Sequence, residues 1–196
     1  TKCDAVKPAV PSKPAISDPS NESKGIKISW KKAANADGYY VYRKTGKGKF
    51  QKVAAVKKAS AVSWMDTSVK SKNGTVYQYQ VYAYKGSVKS KASAAKTIIR
   101  LTANKISSVK NVKGKKLQVT WTKNAKSGGY EVQYATGNKF KGAKVAKVSG
   151  AKKVSKTITG IKKGKTYYVR VRCCKTSGKT KSYSCWSNVK TVKISK

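Results

Sequence analysis

Gly25–Lys44 reads GIKISWKKAANADGYYVYRK, and Gly114–Ala135 reads GKKLQVTWTKNAKSGGYEVQYA. One pattern is written twice. Trp30 and Trp121 stand 91 residues apart, as do Gly38 and Gly129. Farther along, NGTVYQYQVYA (73–83) faces KGKTYYVRVRC (163–173), with Tyr77 and Tyr167 separated by 90 residues. Three landmarks that hold one offset to within a residue identify an internal repeat, and hence two homologous units of about 90 residues.

Apolar residues alternate within each copy, the mark of half-buried strands. Ile26, Ile28 and Trp30 share one face; so do Tyr39, Val41 and Arg43, and then Tyr77, Tyr79, Val81 and Ala83. The second copy repeats this with Leu117, Val119 and Trp121, with Tyr130, Val132 and Tyr134, and with Tyr167, Val169, Val171 and Cys173. Gly, Asn, Ser and Lys clusters punctuate the strands. Short strands at this spacing predict an all-β chain of two tandem seven-stranded antiparallel β-sandwiches. The expected layout is a linker or leader at 1–13, a first domain at 14–100 and a second at 101–196. Residues 1–13, TKCDAVKPAVPSK, hold two of the four prolines and no strand pattern. Residues 98–105, IIRLTANK, join the copies without a Gly/Ser or Pro run. That connection favours a semi-rigid, end-to-end rod over two freely tumbling domains.

Composition pulls two ways. Leu, Ile, Val and Phe total 34 residues and the net charge is +40, a combination typical of disorder. Against this, Val, Ile and Thr total 45 while Leu and Met total 3, and 12 Tyr and 4 Trp lie among them. β-Branched and aromatic side chains fit a pleated surface, so order in the form of β-structure is the stronger reading. The chain has no His, which removes the usual proton shuttle at neutral pH and the commonest zinc ligand. Its six acids, Asp4, Asp18, Glu22, Asp37, Asp66 and Glu131, come no closer together than four residues. No enzyme activity, cofactor or metal is expected. No apolar run approaches the ~20 residues that span a bilayer, so membrane insertion is not expected either. The chain opens at Thr1, as a piece of a processed or larger protein does, and is expected to be monomeric.

The run TITGIKKGKTYYVRVR, Thr157 to Arg172, resembles the segment from strand E to strand F of fibronectin type III domains. Trp121 then matches the strand B tryptophan, Tyr130-Glu131-Val132-Gln133-Tyr134 the strand C pattern, and Tyr167 the tyrosine corner. The first copy matches through Trp30, Tyr39, Asp66-Thr67-Ser68-Val69 and Gly74-Thr75-Val76-Tyr77. The lysine-heavy phrasing, as in YEVQYAT and FKGAKVAKV, is similar to tandem modules in surface and secreted proteins of Gram-positive anaerobic bacteria. The resemblance implies a non-catalytic extracellular module, structural or adhesive, acting as a spacer or display rod of a secreted or cell-surface protein. It also implies that the Tyr77 and Tyr167 hydroxyls bond to backbone near the E–F turn.

Function, on this reading, rests on charge and on one face of the first domain. Lysines outnumber arginines 42 to 4. Arg is the residue that reads phosphate and guanine in bidentate fashion, so specific nucleic-acid recognition is disfavoured and non-specific binding at low salt is expected. Residues 1–100 hold 21 basic and 5 acidic side chains, net +16; residues 101–196 hold 25 and 1, net +24. Either this is a self-repelling, solvated surface, or it attracts anionic polymers such as teichoic acid, acidic polysaccharide or mucin glycan. Strand parity sends Tyr40, Tyr42, Tyr82 and Tyr84 away from the core. In the fold that the resemblance implies, strands C and F are neighbours, so these rings form an exposed patch beside Lys44 and Lys85. The patch is either cross-strand packing or a carbohydrate-binding platform for acidic sugars. The second copy places Glu131, Gln133, Arg172 and Cys174 at the matching positions and lacks it. The cysteines are Cys3, Cys173, Cys174 and Cys185. Parity turns Cys173 inward as a small core residue. A Cys174–Cys185 disulfide across the F–G hairpin is then the favoured pairing, with Cys3 free or paired elsewhere.

Overall fold

The computed structural model describes residues 9–195, so Cys3 and most of the 1–13 leader lie outside the described residues. Two compact units emerge. The described residues up to Ser20, with Lys24–Val69 and Thr75–Ile98, form the first; the second runs from Ile99 and takes in Asn21–Ser23 and Lys70–Gly74.

β1 (Ser20–Glu22), β2 (Gly25–Ser29) and β5 (Ser63–Asp66) make a sheet in the order β1-β2-β5, of which β2 and β5 belong wholly to the first unit. The facing sheet runs β4-β3-β6-β7, from β3 (Gly38–Thr45), β4 (Gln51–Val56), β6 (Val76–Lys85) and β7 (Val88–Lys89), with β8 (Lys96–Ile99) also on β6. The second unit repeats the plan. β9 (Ile106–Val112), β10 (Lys116–Trp121) and β13 (Ser155–Ile158) form the sheet β13-β10-β9. β11 (Gly129–Ala135), β12 (Lys144–Ser149), β14 (Thr166–Ser177) and β15 (Thr180–Tyr183) form β12-β11-β14-β15, with β16 (Lys190–Lys193) on β14. A single 3-10 turn, Thr67–Val69, interrupts the strands, and no helix among the described residues is long and apolar enough to cross a membrane. The expected all-β, tandem-sandwich architecture is the one observed.

The seventh strand of each sandwich arrives in two pieces, β7 with β8 and β15 with β16. Serine side chains hold the kink between them. Ser90 N–H donates to the Ala83 carbonyl at 2.9 Å, and Ala83 N–H donates back to Ser90 Oγ at 2.9 Å. Ser93 does the same with Val81, Ser184 with Cys173 and Ser187 with Val171. Each hydroxyl thus replaces a strand carbonyl that the kink turns away, and the buried N–H groups of β6 and β14 stay satisfied.

The core of the first unit sets Ile26, Ile28 and Trp30 against Tyr39, Val41, Tyr79 and Val81, all at most 3% exposed. Leu117, Val119 and Trp121 meet Tyr130, Val132, Val169 and Val171 in the second. At the centre of each core a tryptophan packs on the first tyrosine of the next strand, with ring centroids 5.1 Å apart for Trp30–Tyr39 and 5.3 Å for Trp121–Tyr130. The tyrosine hydroxyl then joins two loops. Tyr39 accepts the Ala33 N–H at 3.0 Å and donates to the Ala59 carbonyl at 3.3 Å. Tyr130 accepts the Asn124 N–H at 3.0 Å and donates to the Ala151 carbonyl at 2.7 Å.

The tyrosine corner forms in one copy. Tyr167 is buried and its hydroxyl accepts the Lys162 N–H at 3.0 Å. Tyr77 is equally buried, but its hydroxyl makes no such bond among the described residues. Length explains the difference: eight positions separate Val69 from Tyr77, against six from Ile161 to Tyr167. Tyr167→Phe is therefore expected to lower stability by roughly 0.5–1.5 kcal/mol, with Tyr77→Phe closer to neutral. Tyr130→Phe, which orphans a buried N–H, is expected to lose about 1–3 kcal/mol. Urea denaturation midpoints of the three variants check this ranking.

Candidate functional site

The outer face of the β4-β3-β6-β7 sheet carries the tyrosines. Against β6, β3 pairs without a break from Gly38 opposite Tyr84 to Thr45 opposite Tyr77, which sets Tyr40 directly across from Tyr82. The β3–β4 ladder does slip: Val41 pairs with Ala54 but Tyr42 with Lys52. The additional residue, Val53, belongs to β4, so the alternation of β3 is kept. Tyr39 and Val41 face the core, and Tyr40 and Tyr42 face outward.

Tyr40, Tyr42, Tyr82 and Tyr84 consequently lie together, each half-buried by its neighbours. Tyr40 stacks on Tyr84 with centroids 4.5 Å apart and planes 18° from parallel. Tyr42 meets Tyr82 at 4.9 Å in a tilted arrangement. Gly38 makes the Tyr84 position reachable, because a Cβ there would lie 2.6 Å from the Tyr84 hydroxyl and 2.4 Å from the Val56 carbonyl. The cations over the rings are not the two expected from sequence. Lys52 Nζ stands 4.9 Å from the Tyr40 centroid, and Lys89 Nζ stands 5.4 Å from Tyr82 and 6.0 Å from Tyr42. Lys44 instead lies over Phe50 at 5.7 Å, and Lys85 pairs with Val88 at the β6–β7 turn. Lys52 and Lys89 come from the strands that flank β3 and β6, which parity along one strand does not reveal.

The matching face of the second unit is built differently. Arg170 and Arg172 project from β14, opposite Gln133 and Glu131 of β11. Arg170 Nε donates to Gln133 Oε1 at 2.6 Å, and Arg172 donates to Glu131 Oε2 at 2.7 and 3.0 Å. Both guanidinium groups are sandwiched by rings: Arg170 lies 4.1 Å from Phe140 and 4.6 Å from Trp186, and Arg172 lies 4.4 Å from Trp186 and 3.9 Å from Tyr183. This ladder saturates its own cations, aromatic faces and carboxylate. Its aromatic members come from two distant stretches, Phe140 and the pair Tyr183 and Trp186, and the alternation of Arg170 with Arg172 was the one signal of it in the sequence.

Arg43, the polar member of an inward row, closes one end of the first unit. Its Nη1 lies 2.6 Å from Asp66 Oδ2 and 2.7 Å from Ser68 Oγ, and Tyr79 donates to Asp66 at 2.8 Å. Burial works against the Arg43 cation, but the hydrogen bond and charge of Asp66 outweigh it and hold its pKa above the ordinary value. Burial, with Asp66, also raises the Tyr79 phenol well beyond its usual range. The other described acids are also engaged. Asp37 accepts the Gly86 N–H at 2.8 Å, Asp18 pairs with Lys96, and Glu131 pairs with Arg172 and, at 3.9 Å, with Lys181. Among the described residues, Lys96 and Lys181 are the lysines in ion pairs, and no cluster of three His, Cys, Asp or Glu is able to hold a metal.

The expected Cys174–Cys185 disulfide is absent. Cys174 pairs with Tyr183 across β14 and β15, so Cys185 falls beyond the end of the ladder. The charges that act on the two thiols also differ: chiefly Lys181, Glu131 and Arg172 on Cys174, and Glu22 and Arg100 on Cys185. Cys173 is a buried core residue whose sulfur accepts from Asn124 Nδ2 at 3.4 Å.

The family described as Fibronectin type III domain matches residues 105–190, the second copy. Among solved structures, the chain is similar to the FN1–FN3 domains of chicken CNTN1, at 20% identity over 94% of this chain and 67% of that one, with a TM-score of 0.45. It is also similar to the two-domain fibronectin type III segment of chicken tenascin, at 22% identity over 94% and 99%, with a TM-score of 0.42. No curated protein matches the chain.

Burial raises the pKa of Cys173, Cys174 and Cys185 alike. Folded thiols that hold their protons more tightly than unfolded ones stabilise the fold below the ordinary thiol range, and that contribution is lost as pH climbs through it. Alkylation of Cys174 and Cys185 by iodoacetamide is expected to be slow at neutral pH and to accelerate above the usual thiol pKa. Peptide mapping without reductant checks both points, since a 174–185 cross-linked peptide would contradict the observed geometry.

Proposed function

We propose that the chain is a non-catalytic adhesive module of a secreted or cell-surface protein, both copies being fibronectin type III domains, and that its lysines hold anionic polymers. The observation that carries this reading is the state of the acids: the described ones are engaged, and among the described lysines only Lys96 and Lys181 have a carboxylate as ion-pair partner. A polyanion that displaces their mobile ions gains the entropy of counter-ion release. Lys is suited to this role because it acts as a hydrated point charge and imposes no fixed geometry on its partner. A lysine-rich module of a bacterial surface protein would meet such polymers as teichoic acid, acidic polysaccharide or mucin glycan.

A second reading assigns the first unit a carbohydrate-binding face. The stacked Tyr40–Tyr84 pair beside Tyr42 and Tyr82, with Lys52 and Lys89 above, supports it. Sugar rings pack their C–H faces on aromatic faces, and an ammonium at the rim selects an acidic group.

Retention of the whole chain on immobilised polygalacturonate separates the two readings. Charge alone predicts retention falling steeply between about 50 and 200 mM salt, unchanged by Tyr40→Ala with Tyr82→Ala. A specific face predicts that the double variant elutes earlier at every salt while its unfolding midpoint shifts by no more than about 1 kcal/mol per lost ring pair. Retention that ignores salt would contradict the lysine mechanism.

A further inference from the structure

The two copies differ most at the end of the sandwich that Arg43 closes. Register makes the comparison residue by residue. Ile26 pairs with Asp66 and Leu117 with Ile158; Arg43 pairs with Tyr79 and Tyr134 with Val169. The second copy therefore has Tyr134 for Arg43, Ile158 for Asp66 and Val169 for Tyr79. Two residues past Asp66 stands Ser68, and two past Ile158 stands Gly160. Every member of the Arg43–Asp66–Tyr79–Ser68 network is gone. What remains is a cleft of about 370 Å³ between β11, β12 and the loop after β13. That volume falls within the range of roughly 300–1,000 Å³ usual for small-molecule sites.

Two tyrosines and three lysines are among the residues that line this cleft. Tyr134 and Tyr167 lie with centroids 6.3 Å apart and planes tilted by 46°. Lys144, Lys162 and Lys165 share the lining with them and are exposed to solvent. The Tyr167 hydroxyl is committed to the Lys162 backbone, which fixes that wall. Burial and the neighbouring Tyr167 raise the Tyr134 pKa, so its hydroxyl remains a donor at neutral pH. Residues 101–196 contain one acid, Glu131, and Arg172 on the opposite face of the sheet holds it. The positive charge of the cleft has no counterpart of its own.

We propose that this cleft binds one acidic sugar unit, a hexuronate, with its ring against Tyr134 and its carboxylate among Lys144, Lys162 and Lys165. The assignment rests on the reading that the chain engages acidic polysaccharide, and it adds a stoichiometric subsite to an otherwise diffuse attraction. A neutral sugar offers nothing to the three ammonium groups, and a bare inorganic anion offers nothing to the rings. In the first copy the matching positions are taken up by the Arg43–Asp66–Ser68–Tyr79 network.

The test is an NMR titration of the whole labelled chain at physiological salt with trigalacturonate, maltotriose and sodium sulfate. Saturable amide shifts confined to residues near 134–136, 142–144 and 159–167 are expected with trigalacturonate alone. Lys144→Gln, Lys162→Gln and Lys165→Gln combined should weaken that binding by about ten- to a hundredfold, the loss expected from charge-assisted hydrogen bonds. The same variant should remain on polygalacturonate almost as long as the parent, because only three of many lysines are removed. Shifts spread over all lysine-rich surfaces, equal shifts with sulfate, or unchanged affinity in the triple variant would overturn the cleft and leave the polymer reading standing. Loss of polygalacturonate retention by the parent chain would instead remove the reading on which the cleft depends. An undisturbed amide spectrum outside the cleft verifies that the variant is folded.

Discussion

The contact between Trp30 and Tyr39, and its counterpart between Trp121 and Tyr130, governs the geometry of each sandwich. One ring comes from each sheet, so the pair sets the packing of one sheet on the other. The tyrosine hydroxyl then reaches past the core to a donor in one loop and an acceptor in another. A buried phenol tolerates only positions in which its O–H is satisfied. That requirement pins the start of β3 and of β11. Since a strand alternates its side chains, fixing one residue decides the facing of all the others until a bulge intervenes.

The bulge in the first unit is placed where it does no harm to that decision. Had the additional residue entered β3, Tyr42 and everything after it would have turned over. It enters β4 at Val53 instead, and the β3–β6 ladder remains unbroken. The tyrosine face is thus a consequence of core packing on the other side of the same strand. Position 43 obeys the same constraint: it must face inward, and Arg is accommodated there because Asp66, Ser68 and Tyr79 supply partners. Removing any one of them would leave a charge partly buried and under-compensated.

The fold was legible in the sequence because alternation and a 90–91 residue repeat are both local signals, readable without knowing any contact. Strand parity was legible for the same reason, and it located Tyr40, Tyr42, Tyr82 and Tyr84 on one face. What parity does not encode is how strands lie side by side. Lys52 and Lys89 cover the rings in place of Lys44 and Lys85, because cross-strand register decides which lysine arrives there. The cysteines show the same limit. Cys174 and Cys185 have the spacing of a hairpin pair, but Tyr183 takes the position opposite Cys174 and the kink at Ser184 comes immediately after. The Tyr77 corner was missed through loop length, as two additional residues alter a bond that the strand pattern leaves untouched.

The two copies exchange Arg and Tyr between the same two places. In the first, the arginine is at the end of the sandwich and the tyrosines are on the open face; in the second, the arginines are on the face and a tyrosine is at the end. The exchange matters because Arg and Lys treat an aromatic ring differently. A guanidinium is planar and weakly hydrated, so it stacks on rings, binds carboxylates in place and leaves little for a ligand. Arg170 and Arg172 are consumed in this way by Phe140, Trp186, Tyr183 and Glu131. An ammonium on a flexible stem keeps its water and remains available to an anion near the same ring. Surfaces that pair Arg with aromatics are therefore closed, and those that pair Lys with aromatics are open. By that criterion the arginine ladder of the second copy is closed, and the tyrosine face of the first, under Lys52 and Lys89, is open.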